Sequence, residues 1–163
     1  MESPLVHSFA PLAGDRAEVL ILGNMPGVVS LNQHRYYANP RNAFWPIMAA
    51  LFGFDAAAPY DERVHRLTDA GVAVWDVLAA CRRPGSLDAA VEPASMVAND
   101  FDTFFAAHPG IERVYFNGAA AAKNYQRLVR GSHPVRTMRL PSTSPAHTAP
   151  FAVKLAAWRQ LTE

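Results

Sequence analysis

Cysteine occurs once in the 163 residues, at Cys81. That excludes an internal disulfide and leaves no thiolate cluster for zinc or an iron–sulfur centre, so a reducing, cytoplasmic setting is expected. No run approaches the roughly 18 apolar residues of a membrane span. Met1-Glu2-Ser3-Pro4 has no basic region leading into an apolar core, so neither a membrane partner nor export is expected. Charged residues make up only 18% while half the chain is apolar, a balance that rules against disorder and calls for a filled interior. No repeat, low-complexity tract or linker divides the chain, and its length suits one domain over 1–163. Acidic residues are missing from the last third: between Arg113 and Thr162 stand Lys123, Arg127, Arg130, Arg136, Arg139, Lys154 and Arg159 but neither Asp nor Glu. With a net charge of only +1, that asymmetry offers one positive face to a polyanion.

What is present is an alternation of strands and helices. Residues 17–22 (AEVLIL) have the length and β-branched content of a core strand, and Gly23 ends it. Residues 42–52 place Phe44, Ile47, Met48 and Leu51 at helical spacing, with Pro40 near the first turn and Gly53 as the stop. A helix over 61–70 turns Val64 and Leu67 inward, and 72–78 (VAVWDVL) reads as one continuous buried strand of the parallel type. Residues 79–95, with two arginines, two prolines and Gly85, read as a loop or short irregular element. Asn99 or Asp100 caps a helix carrying Phe101, Phe104 and Phe105. A third strand follows at 112–116, an alanine-rich helix at 119–130, a fourth strand at 135–140, and a last helix through Trp158. This order predicts an α/β fold: a mainly parallel sheet, helices on both faces, and a ligand site at the carboxyl ends of the strands.

Two loops open on that edge. The first, after Gly23, carries two glycines, a proline, three asparagines and the pair Tyr36-Tyr37 before Pro40, and is long for a plain connection. It is neither a dinucleotide fingerprint nor a P-loop, since no Gly-Lys-Ser/Thr follows. The tyrosines offer a flat face for a base, or pack beneath the loop. His34 reads as a solvated loop histidine. In the second loop Ser142, Thr143 and Ser144 supply donors for phosphate oxygens, or form a turn with capping hydroxyls before the last helix.

Three stretches carry a resemblance: Gly23-Asn24-Met25-Pro26-Gly27, then Tyr37-Ala38-Asn39-Pro40-Arg41-Asn42-Ala43-Phe44-Trp45, and Leu140-Pro141-Ser142-Thr143-Ser144-Pro145. They resemble the signature motifs of the uracil-DNA glycosylase superfamily, and within it the hypoxanthine-DNA glycosylase family. Trp75-Asp76, Gly85-Ser86-Leu87-Asp88 and Phe116-Asn117-Gly118 extend the match over nearly the whole chain. The resemblance implies a three-layer α/β/α sandwich around a mainly parallel four-stranded sheet. It implies an enzyme that hydrolyses the N-glycosidic bond of a flipped-out deaminated base, above all hypoxanthine, in damaged DNA. Such an enzyme needs no cofactor and no metal, and acts as a monomer in the cytoplasm on nucleoid DNA. A G/U or G/T mismatch glycosylase, and a catalytically silent lesion- or nucleotide-binding protein, are the alternatives. No lysine lies in these motifs, so no Schiff-base step is expected.

Mismatch-specific relatives orient the attacking water with an asparagine where this chain has Met25, and the hypoxanthine family likewise has an apolar residue there. The catalytic polar group is then expected in Asn42, just inside the helix, unless that side chain only bonds the first helical turn. Asn39, where relatives commonly have histidine, and Asp76, at a strand end, are the other candidates; Asp76 also suits a helix cap or an arginine partner. By the same resemblance Tyr37 stacks on the flipped base, while Gly23, Asn24, Met25, Pro26, Gly27 and Asn117 bind it, Asn24 and Met25 through their backbone. Ser142, Thr143 and Ser144 grip phosphates, and Pro145 and Ala146 fill the space left by the extruded nucleotide.

Overall fold

The computed structural model describes residues 3–163; Met1 and Glu2, part of the stretch read for a targeting signal, lie outside the described residues. In chain order the elements are β1 (Leu5–His7), β2 (Val19–Gly23), α1 (Val28–Gln33), α2 (Phe44–Phe52), α3 (Tyr60–Asp69), β3 (Val72–Asp76), β4 (Leu78–Arg82), β5 (Val97–Ala98), α4 (Phe101–Ala107), β6 (Arg113–Asn117), α5 (Ala119–Leu128), β7 (Arg136–Leu140) and α6 (Phe151–Trp158). Strands β3-β2-β6-β7 pair in that order, all parallel.

The period-2 alternation of the three inner strands sends side chains to both faces, and both faces are covered. Leu20 and Leu22 of β2, Ala73 and Trp75 of β3, and Val114 and Phe116 of β6 pack with Phe101 and Phe104 of α4 and Ala121 of α5. On the other face Val19, Ile21, Val72, Val74 and Tyr115 pack with Phe44, Ile47 and Met48 of α2, Leu67 of α3 and Trp158 of α6. This is the expected α/β/α sandwich with a parallel four-stranded sheet. The fourth strand departs from its neighbours: β7 lies at the sheet edge and only Leu140 is buried, with Arg136 and Arg139 shielding an edge otherwise open to pairing.

Three readings need correction. The apolar run 72–78 is not one strand, because β3 ends at Asp76 and the chain enters a second sheet at Leu78. The hinge is fixed by Val77, whose N–H donates to Gly23 O (2.8 Å) and whose carbonyl accepts from Asn99 (2.9 Å). Both strands are buried, so hydrophobicity carried no sign of the break. Residues 79–95 accordingly begin as β4, the centre of a small antiparallel sheet β1-β4-β5. Likewise the long first loop contains α1, whose six residues include buried Ser30.

Strand β2 leads through α1, α2 and α3 to β3 on one side, and from β3 the chain returns through β4, β5 and α4 to β6 on the other side of β2, so the direction of winding reverses there. The crevice at such a switch point, outside the carboxyl ends, is where ligands enter parallel sheets. Gly23, Asp76 and Asn117 are the last residues of those three strands. Leu20, fully buried at the sheet centre, tests the scaffold: Leu20→Ala is expected to lower unfolding free energy by about 2–5 kcal/mol, read as a shift of the urea midpoint at unchanged slope.

Candidate active site

A cavity of about 410 Å³ occupies that crevice, within the range of small-molecule sites. It is lined by Gly23 to Ser30, Tyr36, Tyr37, Asn39, Arg41, Asn42, Asp76, Ser86 to Asp88, Asn117 and Ser142 to Ala146. Every residue singled out in the sequence for catalysis, base contact or phosphate contact is on this wall. His34 is not; it closes α1 in a left-handed conformation and its ring lies 4.6 Å from Phe9.

Asp76 forms the floor. It is 3% exposed, and its Oδ2 has no hydrogen-bond partner. Burial, reinforced by the negative charge of Asp88 and opposed by Arg83, pushes its carboxyl up to about 7. It neither caps a helix nor forms an ion pair among the described residues. Its place depends on Gly23 across the β2–β3 ladder: a Cβ there would stand 2.5 Å from Asp76 Oδ1 and 2.9 Å from the Tyr37 hydroxyl. Glycine is thus required by close approach of two functional groups, not by a turn.

Tyr37 takes a left-handed backbone (φ 53°), unusual for an aromatic residue, and its ring stacks on Phe44 with centroids 4.0 Å apart. Its hydroxyl is buried without a partner, and burial followed by the Asp76 charge drives its pKa far upward, so it stays a neutral donor. Tyr36, the other half of the pair, belongs to the scaffold: its hydroxyl donates to Ala10 O (2.8 Å) and its carbonyl accepts from Trp45 Nε1 (2.9 Å).

The four asparagines divide by what their amides already bond. Asn24 accepts from Asn124 of α5 (2.8 Å) and donates to Asp88 (3.1 Å). Asn117 donates to Thr143 Oγ1 (3.0 Å) and accepts from Thr143 N–H (2.9 Å). These bonds make both side chains braces, and Asn117, which holds the second loop, also lines the cavity. In Asn42 only the oxygen is committed, accepting from Phe44 N–H (2.9 Å); in Asn39 it accepts from Arg41 N–H (3.0 Å). Asn42 precedes the helix rather than lying inside it, and the helical-turn bond is real, yet its amide nitrogen remains an unused donor on the cavity wall.

Met25 sends its side chain into the core, 7% exposed, so only its backbone is left for a ligand. Ser142 and Ser144 hydroxyls accept from Ser144 and Ala146 N–H groups (3.1 and 3.2 Å). They form a turn, but it does not cap α6, which starts at Phe151 after Pro150. Gly118, at φ +94°, lets this turn approach: a Cβ would lie 3.1 Å from that of Ser142.

Sequence reasoning missed four contributors. Asp88, raised by desolvation against the Asn24 hydrogen bond, and Leu87, 60% exposed, come from the segment read as irregular. Arg41 lines the cavity from within a motif where only its neighbours stood out. Arg83, 1% exposed, ties Pro26 O (2.5 Å) to Gly85 O (2.7 Å) and so holds the glycine loop. The Gly85 to Asp88 similarity was the available signal. Among the described residues no group of three or more His, Cys, Asp or Glu is placed to hold a metal, and no helix is long and apolar enough to cross a membrane.

A strand-end carboxylate, a stacked tyrosine, asparagine donors and a serine–threonine turn thus share one cavity. The chain belongs to the uracil DNA glycosylase superfamily, whose family model matches residues 11–162. Within it, the resemblance to the hypoxanthine branch is borne out. The chain is 29% identical over 155 residues to a protein named Hypoxanthine DNA glycosylase from Methanosarcina barkeri, covering 94% of this chain and 96% of that one. It is 31% identical over 142 residues to a protein of the same name from Methanosarcina acetivorans, covering 86% and 87%. The solution NMR structure of a candidate uracil DNA glycosylase from M. acetivorans superposes with a TM-score of 0.81 at 28% identity, over 98% of this chain and 100% of that one.

The Asp76 environment predicts a stability effect. Its folded value of about 7 lies above the usual 3.8, so folding favours the protonated form. That contribution is fully present below about pH 4 and is lost as pH rises through about 7. Asp76→Asn, neutral throughout, is expected to exceed the parent's urea midpoint at pH 8 and to lose the advantage progressively toward pH 4.

Proposed function

We propose that this chain is a monofunctional DNA glycosylase that hydrolyses the N-glycosidic bond of a flipped deaminated base, hypoxanthine first among them. The observation that carries the reading is convergence: three separated segments bring Asp76, the Tyr37–Asn42 loop with Asn39, and the Ser142–Ala146 turn around one cavity at the switch point of the sheet. The names of the two curated relatives support the choice of base. All the groups come from one chain, which supports action as a monomer, and the single, buried Cys81 fits a cytoplasmic enzyme working on nucleoid DNA.

In this reading the everted purine lies against Tyr37, whose other face is held by Phe44. Hypoxanthine presents O6 and N7 as acceptors, and the unused amide donors of Asn39 and Asn42 meet charge that grows on the ring as the bond to C1′ lengthens. The ionised Asp76 carboxylate stabilises the oxocarbenium-like sugar and accepts a proton from the attacking water. Asn42 cannot accept that proton, because a carboxamide is not basic, and its oxygen is turned to Phe44 N–H. Backbone groups of the Gly23 to Gly27 loop bound the base, the serine–threonine turn grips phosphates, and Leu87, Pro145 and Ala146 are the apolar rim nearest the vacated stack.

Incubating the protein with duplexes containing deoxyinosine or deoxyuridine, followed by alkaline scission, tests this. Cleavage at deoxyinosine is the expected result; cleavage at deoxyuridine alone would assign a mismatch uracil enzyme, and cleavage at neither a silent lesion-binding protein. Asp76→Asn is expected to lower the single-turnover rate by about 10²–10⁴-fold and to abolish a rise in rate through an apparent pKa of about 7. Asn42→Asp keeps an oxygen for the Phe44 N–H but removes the donor, so the fold should persist while release falls. Full activity of that variant would move the donor role to Asn39.

A further inference from the structure

A second hollow, of about 310 Å³, lies behind the loop that walls the first: Tyr36, Tyr37, Asn39 and Asn42 line both. Its other lining includes Arg35, Arg63, and Trp45, Pro46 and Tyr60 from the first turns of α2 and α3. First turns of helices present unbonded N–H groups and the positive end of the backbone dipole. Two guanidiniums flank one ring there. The Cζ atoms of Arg35 and Arg63 stand 5.4 and 5.6 Å from the Tyr60 centroid, and Arg63 also lies 4.9 Å over Trp45. The Tyr60 hydroxyl accepts from Tyr36 N–H (3.0 Å), so the ring that seats both cations is tied to the wall of the main cavity.

Neither arginine has a carboxylate partner among the described residues. Arg63 donates its Nε to Ala58 O (2.9 Å), and Asp61, whose charge reaches Tyr60, pairs with neither. Asp55, next to Ala56 on the wall, spends an oxygen on Ala57 N–H (2.8 Å). Arg63 is lowered by desolvation and further by the charge of Arg35, with Tyr60 opposing. Two cations that repel beside one ring, with the Arg35 fork and the terminal nitrogens of Arg63 bonded to no other group among the described residues, match a tetrahedral oxyanion in charge and geometry. The wall is shared, so a group held there lies on the other side of the loop that bounds the main cavity.

We propose that this hollow is a phosphate subsite for the DNA strand. It takes the backbone phosphate of a nucleotide adjacent to the flipped one, with Arg35 and Arg63 as ligands. The inference rests on the DNA reading above and adds a contact that none of the sequence motifs carries. Holding that phosphate fixes the strand against the loop bearing Tyr37 and Asn42, so the subsite serves register as well as affinity.

The test compares the parent with Arg35→Gln and with the Arg35→Gln/Arg63→Gln pair, by anisotropy of a labelled deoxyinosine duplex over a range of salt. The pair is expected to bind about tenfold more weakly, with a slope of log affinity against log salt shallower by about 0.9, the value of one phosphate contact. Exposed Arg35 alone should give the same change in part, without risk to the fold. Neutral methylphosphonate linkages placed singly around the lesion should reveal one position that weakens the parent and leaves the double variant unaffected. Equal slopes and equal linkage profiles in parent and variants would overturn the subsite while base release by the parent keeps the functional reading intact. Parental failure to bind any duplex would overturn both. Protection of the parent, but not the variant, by deoxynucleoside monophosphate at unchanged duplex affinity would assign the hollow to free nucleotides and also overturn it.

Discussion

A carboxylate buried at the open end of a parallel sheet, with an oxygen that nothing in the fold satisfies, is the constraint on which the rest of the structure turns. Asp76 sits beside Gly23 across the ladder, in the volume a Cβ would otherwise take. Arg83 is buried close enough to oppose the shift of Asp76, yet its hydrogen bonds go to two backbone carbonyls and it forms no ion pair with the carboxylate. A full ion pair would hold Asp76 ionised and inert. Without one the group titrates close to neutrality, where a proton can be taken and returned. The cost falls on stability above pH 7, and two well-filled hydrophobic layers around the sheet offset it.

The asparagines show how the site keeps donors aimed while the loops that carry them stay ordered. An amide has one accepting end and one donating end. Where both are bonded, as in Asn24 and Asn117, the side chain links loop to loop: glycine loop to α5 and Asp88, β6 to the serine–threonine turn. Where only the oxygen is bonded, as in Asn39 and Asn42, the backbone bond orients the amide and leaves the nitrogen for a ligand. Local capping and ligand contact are then two ends of one group rather than rival explanations of it. The positive φ of Tyr37 belongs to the same arrangement. A left-handed aromatic costs of order 1–3 kcal/mol, and the surrounding bonds of Tyr36, Ala38 and Trp45 hold it there.

Most of the fold was legible because β2, β3 and β6 are short apolar runs between helical patterns, each ending in a polar or glycine residue on one edge. What was not legible shares a physical cause. Val72 to Cys81 is apolar or buried throughout, so the passage from the parallel sheet into the antiparallel one at Val77 depends on bonds to Gly23 and Asn99 that local pattern does not encode. Helix α1 lacks the spacing of an amphipathic helix because it is only six residues long. At the site, residue types in the motifs located the cavity, whereas the division of asparagines into braces and donors required partners up to 100 positions away, as in Asn24 with Asn124.

Charge shows the same limit. The acid-free last third suggested a continuous positive face, yet none of its eight basic residues lines either cavity. Arg113 is spent on the Tyr115 hydroxyl and the Glu163 carbonyl, and Lys154 is buried against Ser144 O, its pKa lowered by desolvation. Arg136 and Arg139 guard the sheet edge, and Lys123, Arg127 and Arg130 follow α5 and its end. The cations that line the two cavities are Arg41 in the first and Arg35 and Arg63 in the second, all in the first half of the chain. A parallel sheet gathers the carboxyl ends of its strands and the first turns of the following helices on one edge, whatever their order in sequence. Positive potential therefore accumulates where loops converge, not where arginines are frequent.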